Sequence, residues 1–156
     1  MIISYIFNQG EVNCPANQYK HDVDRICYST CPSTFYANTL TGKCTDPCPD
    51  GTFPDSTIKQ CIICHISCYK CTGSLETDCS NCYSHASKGS DGKCSCDLTY
   101  FSVVVNLCST PQACTTCTSC FTGCEICSGS GATECTSCVT NYFLYNSNSV
   151  KNKINN

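Results

Sequence analysis

Cys61-Ile-Ile-Cys64-His65-Ile-Ser67-Cys68-Tyr-Lys-Cys71-Thr-Gly73, followed by Cys79-Ser-Asn-Cys82, is the stretch on which the reading of this chain turns. Its spacing, C-x2-C-x3-C-x2-C-x7-C-x2-C, returns 56 residues later at Cys117, Cys120, Cys124, Cys127, Cys135 and Cys138, with Gly129 in the place of Gly73. Five successive spacings repeated in this way make cysteine cross-links, rather than an apolar core, the basis of the architecture.

Composition agrees. Of 156 residues 21 are Cys, and the apolar fraction of 41% counts those cysteines. Without them, with no Trp and one Met, too little apolar mass remains to offset a backbone ordering cost of roughly 1–2 kcal/mol per residue. The expected fold class is therefore small and disulfide-rich: an elongated ladder of short β-hairpin modules with little helix and no single large core. A net charge of −3 without a basic patch argues against nucleic-acid partners.

Cysteine at this density implies an oxidising compartment, so the chain is expected to be extracellular or on the cell surface. The apolar residues 2–7 are too short for a signal-peptide core and lack a basic start. Neither a membrane span of about 20 apolar residues nor a lipid-anchor signal is visible, and there is no Asn-x-Ser/Thr sequon. The expectation is a fragment of a longer protein, touching a membrane only through parts of the parent that lie elsewhere.

A second period organises the first third. Cys14, Cys31 and Cys48 recur every 17 residues, as do Cys27, Cys44 and Cys61, leaving loops of twelve residues. Cys82–Cys94 and Cys96–Cys108 enclose eleven. Such a loop suits two short strands and a turn closed by one disulfide, with reversals expected at Thr41-Gly42, Pro54-Asp55-Ser56 and Gly89-Ser90-Asp91-Gly92. Closure of a loop this size stabilises by roughly 3 kcal/mol in the chain-entropy account. An aromatic stands five residues after most opening cysteines (Tyr19, Tyr36, Phe53, Phe101, Phe143), placed to cover a neighbouring disulfide; Ser87 breaks the rule.

The loops suggest the pairs Cys14–Cys27, Cys31–Cys44, Cys48–Cys61, Cys82–Cys94 and Cys96–Cys108. Interlaced pairs are expected in the repeated blocks, Cys64–Cys71 with Cys68–Cys79 and Cys120–Cys127 with Cys124–Cys135. Cys114–Cys117 remain for one another. Cys138 is left unpaired, because the partner of its hairpin belongs near Lys151, where no cysteine stands; bonding to another chain is the alternative. Spacing alone does not fix connectivity. The expected organisation is an irregular segment 1–13, hairpin modules over 14–60, a first repeat with hairpins over 61–113, a second, truncated repeat over 114–143, and a polar, disordered tail over 144–156.

The quoted stretch resembles the furin-like repeat of growth-factor-receptor cysteine-rich domains and proprotein-convertase tails, C-x2-C-H-x-S-C-x2-C-x-G and then C-x2-C. The preceding Cys44-x3-Cys48-Pro49-Asp-Gly51-Thr52-Phe53 is similar to that family's C-P-x-G-T-[FY] opening. The second copy departs from the pattern with Phe121 for His65 and Gly123 for Ser67. The resemblance covers about Cys27 to Phe143. It implies a ladder of disulfide modules acting as spacer, adhesion surface or receptor ectodomain, of a kind abundant in cysteine-rich surface proteins of protists such as ciliates. It implies structural cysteines and no catalytic residues.

Other chemistries fit less well. Seven C-x2-C pairs suggest an intracellular zinc protein, but the pairs lie three or seven residues apart, where zinc ribbons and fingers use about 12–20. Thiol–disulfide exchange needs an acidified thiol at a helix N-terminus, and no helical pattern follows these pairs. His21, His65 and His85 share no spacing, and no nucleophile–base set or phosphate loop stands out. No catalytic, cofactor or metal residue is expected, and the partner is an unknown protein or glycan. The regulatory tail of a secreted protease is a further alternative. Tyr100–Val105, the most apolar stretch, is read as a strand buried under Cys96–Cys108 in preference to an exposed contact site.

Overall fold

The computed structural model describes residues 13–106, 113–145 and 149–152, so all but the last residue of the segment expected over 1–13 lies outside the described residues. The fold is nearly all β, cross-linked by nine disulfides among the described residues, with two single 3-10 turns and no α-helix there.

Three hairpins open the chain: β1 (Tyr19–His21) with β2 (Ile26–Tyr28), β3 (Tyr36–Asn38) with β4 (Lys43–Thr45), and β5 (Thr52–Asp55) with β6 (Gln60–Ile63). Each is entered by a four-residue turn with the same hydrogen bond, of the left-handed type in the first and third. The amide four residues after the opening cysteine donates to the carbonyl one residue after it, as in Gln18 to Pro15 (3.1 Å) and Thr52 to Pro49 (3.0 Å). The third residue after the cysteine takes a left-handed backbone at Asn17 (φ 61°) and Gly51 (φ 80°), the conformation a type II turn demands at that place. Gly and Asn adopt it most readily. The chain then runs straight into the strand that carries the aromatic at its start, first residue in β1 and β3 and second in β5.

The reversals are four-residue turns. Asn38 Oδ1 accepts from the amide of Leu40 (3.0 Å), and Asp55 Oδ1 from that of Thr57 (2.8 Å). Pro54 and Asp55, expected in the third turn, instead lie in β5, and the chain reverses over residues 56–59.

The hairpins join by a fixed rule. The six strands form one sheet in the order β2-β1-β4-β3-β6-β5, so the first strand of each hairpin lies parallel to the second strand of the next. Each junction includes a backbone bond from the first strand to the turn of the next hairpin: Lys20 N–H to Gly42 carbonyl (2.8 Å) and Ala37 N–H to Lys59 carbonyl (2.9 Å). Both donors stand six residues after their opening cysteine. The third hairpin has Pro54 there, which has no N–H, and the sheet ends. The core crosses the junctions too: Tyr19 and Tyr28 of the first hairpin pack, with Phe35, against the buried cluster of Cys31, Ala37 and Cys44 in the second.

The repeated blocks are each a bulged hairpin interrupted by a 3-10 turn. β7 (Cys68–Cys71) pairs with β8 (Cys79–Cys82) around the turn Glu76–Asp78. Between the blocks lie the hairpin of β9 (Ala86–Lys88) and β10 (Cys94–Cys96) and a longer pair, β11 (Tyr100–Val105) with β12 (Cys114–Ser119). The second block repeats the first as β13 (Cys124–Cys127) and β14 (Cys135–Cys138) around Ala132–Glu134. Asp78 accepts from the amide of Leu75 (3.0 Å), and Glu134 from that of Gly131 (2.7 Å). The repeated glycine is explained here: a Cβ on Gly73 or Gly129 would collide with the carboxyl group of Asp78 or Glu134.

A last hairpin pairs β15 (Tyr142–Tyr145) with β16 (Ser149–Asn152), which corrects the expectation of a disordered tail beginning at residue 144. The β11–β12 ladder likewise crosses the boundary expected between residues 113 and 114.

The left-handed third residue recurs at His85, Thr99 (φ 68°) and Asn141. At Thr99 a β-branched side chain is held where it is least comfortable, pinned by its amide to the Glu125 carbonyl (2.8 Å) and by the Cys120 amide to its own carbonyl (2.8 Å). Thr99→Asn keeps both backbone bonds, and it is expected to stabilise the chain by about 1 kcal/mol and raise its thermal midpoint. An unchanged or lower midpoint would refute strain at this turn.

Candidate functional site

Cysteine sulfur is the chemistry this chain is built around, and its bonding decides what the sulfurs can do. The structure joins Cys14–Cys27, Cys31–Cys44, Cys48–Cys61, Cys64–Cys71, Cys68–Cys79, Cys82–Cys94, Cys120–Cys127 and Cys124–Cys135. Two expected pairs are corrected. Cys96 bonds to Cys117 and not to Cys108, which removes the Cys114–Cys117 pair; Cys114 is itself disulfide-bonded. Cys108 lies outside the described residues. The cause is the length of β11: six residues run on without a turn and pair with β12, placing Cys117 opposite Ser102.

Tyr100–Val105 is accordingly half-buried rather than covered: Phe101 and Val103 are partly enclosed, while Ser102 and Val104 face solvent. His85 stacks on Tyr100, with ring centroids 4.2 Å apart.

Among the described residues Cys138 is the free cysteine, and it is half-buried. Its hairpin forms without a cystine. In the earlier hairpins the residue six after the opening cysteine faces the closing cysteine, as Lys20 faces Cys27 and Lys88 faces Cys94. Leu144 faces Val150, so valine stands in the closing position, one residue before the expected Lys151.

Cys120, Cys124 and Cys127 bring their sulfurs within 4.8 Å of one another, the one cysteine cluster with metal-like geometry among the described residues. They belong to the Cys120–Cys127 and Cys124–Cys135 disulfides, and a metal needs thiolates, so in this oxidised state the group offers no ligands.

The three histidines are apart. His21 is buried edge-on against Phe35, its Nδ1 3.0 Å from Asp24 Oδ1. His65 Nδ1 lies 2.9 Å from Ser67 Oγ, which is 3.8 Å from Cys79 Sγ. This pair borders an open cleft of about 440 Å³ whose walls also include Glu76, Tyr100 and Phe101. The Ser67 amide points at the same His65 nitrogen (3.4 Å), and Glu76 pairs with Lys93 (2.7 Å). The Ser–His contact thus closes a local turn and has no orienting carboxylate behind it.

The second block replaces that contact. Gly123, in the place of Ser67, has a left-handed backbone (φ 91°), and a Cβ there would run into the Tyr142 ring. Phe121, Gly123 and Tyr142 stand where His65, Ser67 and Ala86 stand in the first block. The glycine of the second copy thus goes with the tyrosine that packs against it.

Asp50 links the third hairpin to the first block. It accepts from Tyr69 Oη (2.5 Å) and pairs with Lys70 Nζ (3.0 Å), while the Gly51 amide donates to the Tyr69 carbonyl (2.8 Å). The Tyr69 hydrogen bond, then Lys70, hold the Asp50 carboxyl below its ordinary value, and the same carboxylate pushes Tyr69 and Lys70 up.

Comparison with known proteins gives no match to any protein family, curated protein or solved structure.

Two outcomes are expected. Val150→Cys closes the last hairpin: the introduced thiol bonds to Cys138, the intact mass lies two hydrogens below that calculated for the variant with this pair reduced, and the thiol titre drops to zero. A retained Cys138 thiol would show that the register is wrong. At Asp50, a lowered folded pKa means that its contribution is complete above the ordinary carboxylate value of about 3.9 and is lost as pH falls through the folded value. Tyr69→Phe removes the largest cause, so the Asp50 carboxyl titration followed by NMR moves up toward that ordinary value. An unmoved titration would show that the bond does not hold the carboxylate.

Proposed function

We propose that this chain is a non-catalytic extracellular module of a cysteine-rich surface or secreted protein, of the furin-like or growth-factor-receptor type, serving as spacer, adhesion or receptor-ectodomain segment. The observation that carries the proposal is the state of the sulfurs. Paired cysteines are spent on closing hairpins, and buried cystine takes the place of an apolar core. That bonding is compatible with an oxidising compartment. The interlaced pairs in both blocks, with the shared glycine–carboxylate contact, support the reading of these blocks as one module used twice. Catalysis finds no support in the cleft, where the Ser67–His65 contact lacks an orienting acid. No described helix is long and apolar enough to cross a membrane.

The proposal is tested by intact mass spectrometry of the secreted chain, alkylated with and without prior reduction, with zinc measured in parallel. One alkylated thiol, at Cys138, and no stoichiometric zinc is the expected result. Many alkylated thiols with bound zinc would overturn the compartment and the function together.

A further inference from the structure

The junction between hairpins is a recognition event that the chain performs twice. Each time a first strand presents the N–H six residues after its opening cysteine. Each time the acceptor is the carbonyl two residues before the next closing cysteine, Gly42 or Lys59. Both acceptor residues hold a left-handed backbone, φ 68° and 56°. The outermost strand β2 carries the same device. Arg25 stands two residues before Cys27 with φ 58°, and β2 has a neighbour on one side only among the described strands.

We propose that the β2 edge, at Arg25 and Ile26, is the docking site for the first strand of a single-disulfide hairpin of this same 17-residue design, supplied by another cysteine-rich chain. The incoming strand lies parallel to β2 and donates its sixth-residue N–H to the Arg25 carbonyl, continuing the β1–β4 and β3–β6 junctions outward. The aromatic that precedes the donor supplies the apolar contact, as Tyr19 does against Cys31–Cys44.

A second copy of this chain is a poor occupant. Its β1 and β3 are already engaged by β4 and β6, and β5 has Pro54 at the donor position. The later hairpins opened by Cys82 and Cys138 stand in separate two-stranded sheets and have made no parallel junction. Residues 1–13 contain no cysteine and so hold no such hairpin. The inference rests on the proposed interaction role, but its test reads strand docking and not the cysteine state, so either can fail alone.

The test is a titration of the 15N-labelled full chain with an oxidised synthetic peptide of residues 31–47, closed by Cys31–Cys44, up to roughly 1 mM, where even the weakest useful affinity registers. Saturable amide shifts confined to Arg25–Tyr28 are expected. N-methylation at the peptide's Ala37 should weaken them about tenfold, the effect of deleting one hydrogen bond and leaving its acceptor unsatisfied. The proposal is overturned by silence from a peptide whose cross-strand contacts show that it is folded, or by an equal response to the methylated peptide. It is also overturned if the same shifts develop in the chain alone as its concentration rises, which would assign the edge to a second copy.

Discussion

Most of this fold depends on the disulfide at the base of a hairpin whose strands are too short to stand alone. Three or four residues per strand bury almost nothing, and an isolated two-stranded hairpin is marginal in water. Among the described residues the buried apolar set is cysteine with the single exception of Ala37. The bond therefore acts twice. It removes loop entropy from the unfolded chain, and its sulfurs supply the nearest thing to a core.

That core is shared. Phe53 of the third hairpin packs against the Cys64, Cys68, Cys71 and Cys79 cluster of the block that follows, as Tyr19 packs forward onto Cys31–Cys44. Tyr19 and Phe53, each five residues after an opening cysteine, thus help complete the next module. The polar joints follow the same direction: Asp50 reaches forward to Tyr69 and Lys70, and Lys20 N–H to Gly42. Each unit is finished by its successor, which makes the array a chain of dependencies between neighbours with no central core.

Much of this was legible because cysteine spacing is a mechanical constraint. Twelve residues close one hairpin, and the repeated six-cysteine pattern admits an interlaced pair in each block. The reading went astray where spacing was imitated without the turn chemistry. Cys82–Cys94 contains Gly89-Ser90-Asp91-Gly92 at its tip, whereas Cys96–Cys108 has Val103-Val104-Val105 there. Valines do not reverse a chain; they prolong a strand. That signal was available, and it points to the β11–β12 ladder and so to Cys96–Cys117. Pro54 misled in the opposite sense. Proline suggests a turn, yet its fixed φ is tolerated on an edge strand, and its missing N–H is what ends the six-stranded sheet. The forward packing of the aromatics and the Gly73–Asp78 contact were invisible, since both need distances between residues that no periodicity relates.

A fold specified largely by cysteines, turn residues, aromatics and a few polar joints leaves some tip positions without a folding duty. Val23, Ile58 and Leu75 lie at the tips and turns of the first hairpin, the third hairpin and the first block with half or more of their surface in water. An apolar residue held in water at a hairpin tip contributes nothing to the cystine core, and replacing it costs that core nothing. On the proposed reading this separation is what suits the chain to its role. Cystines fix where each tip sits along the array, while the tip residues remain at liberty to match a partner. Specificity then resides in side chains that the scaffold does not constrain, and the scaffold survives their change.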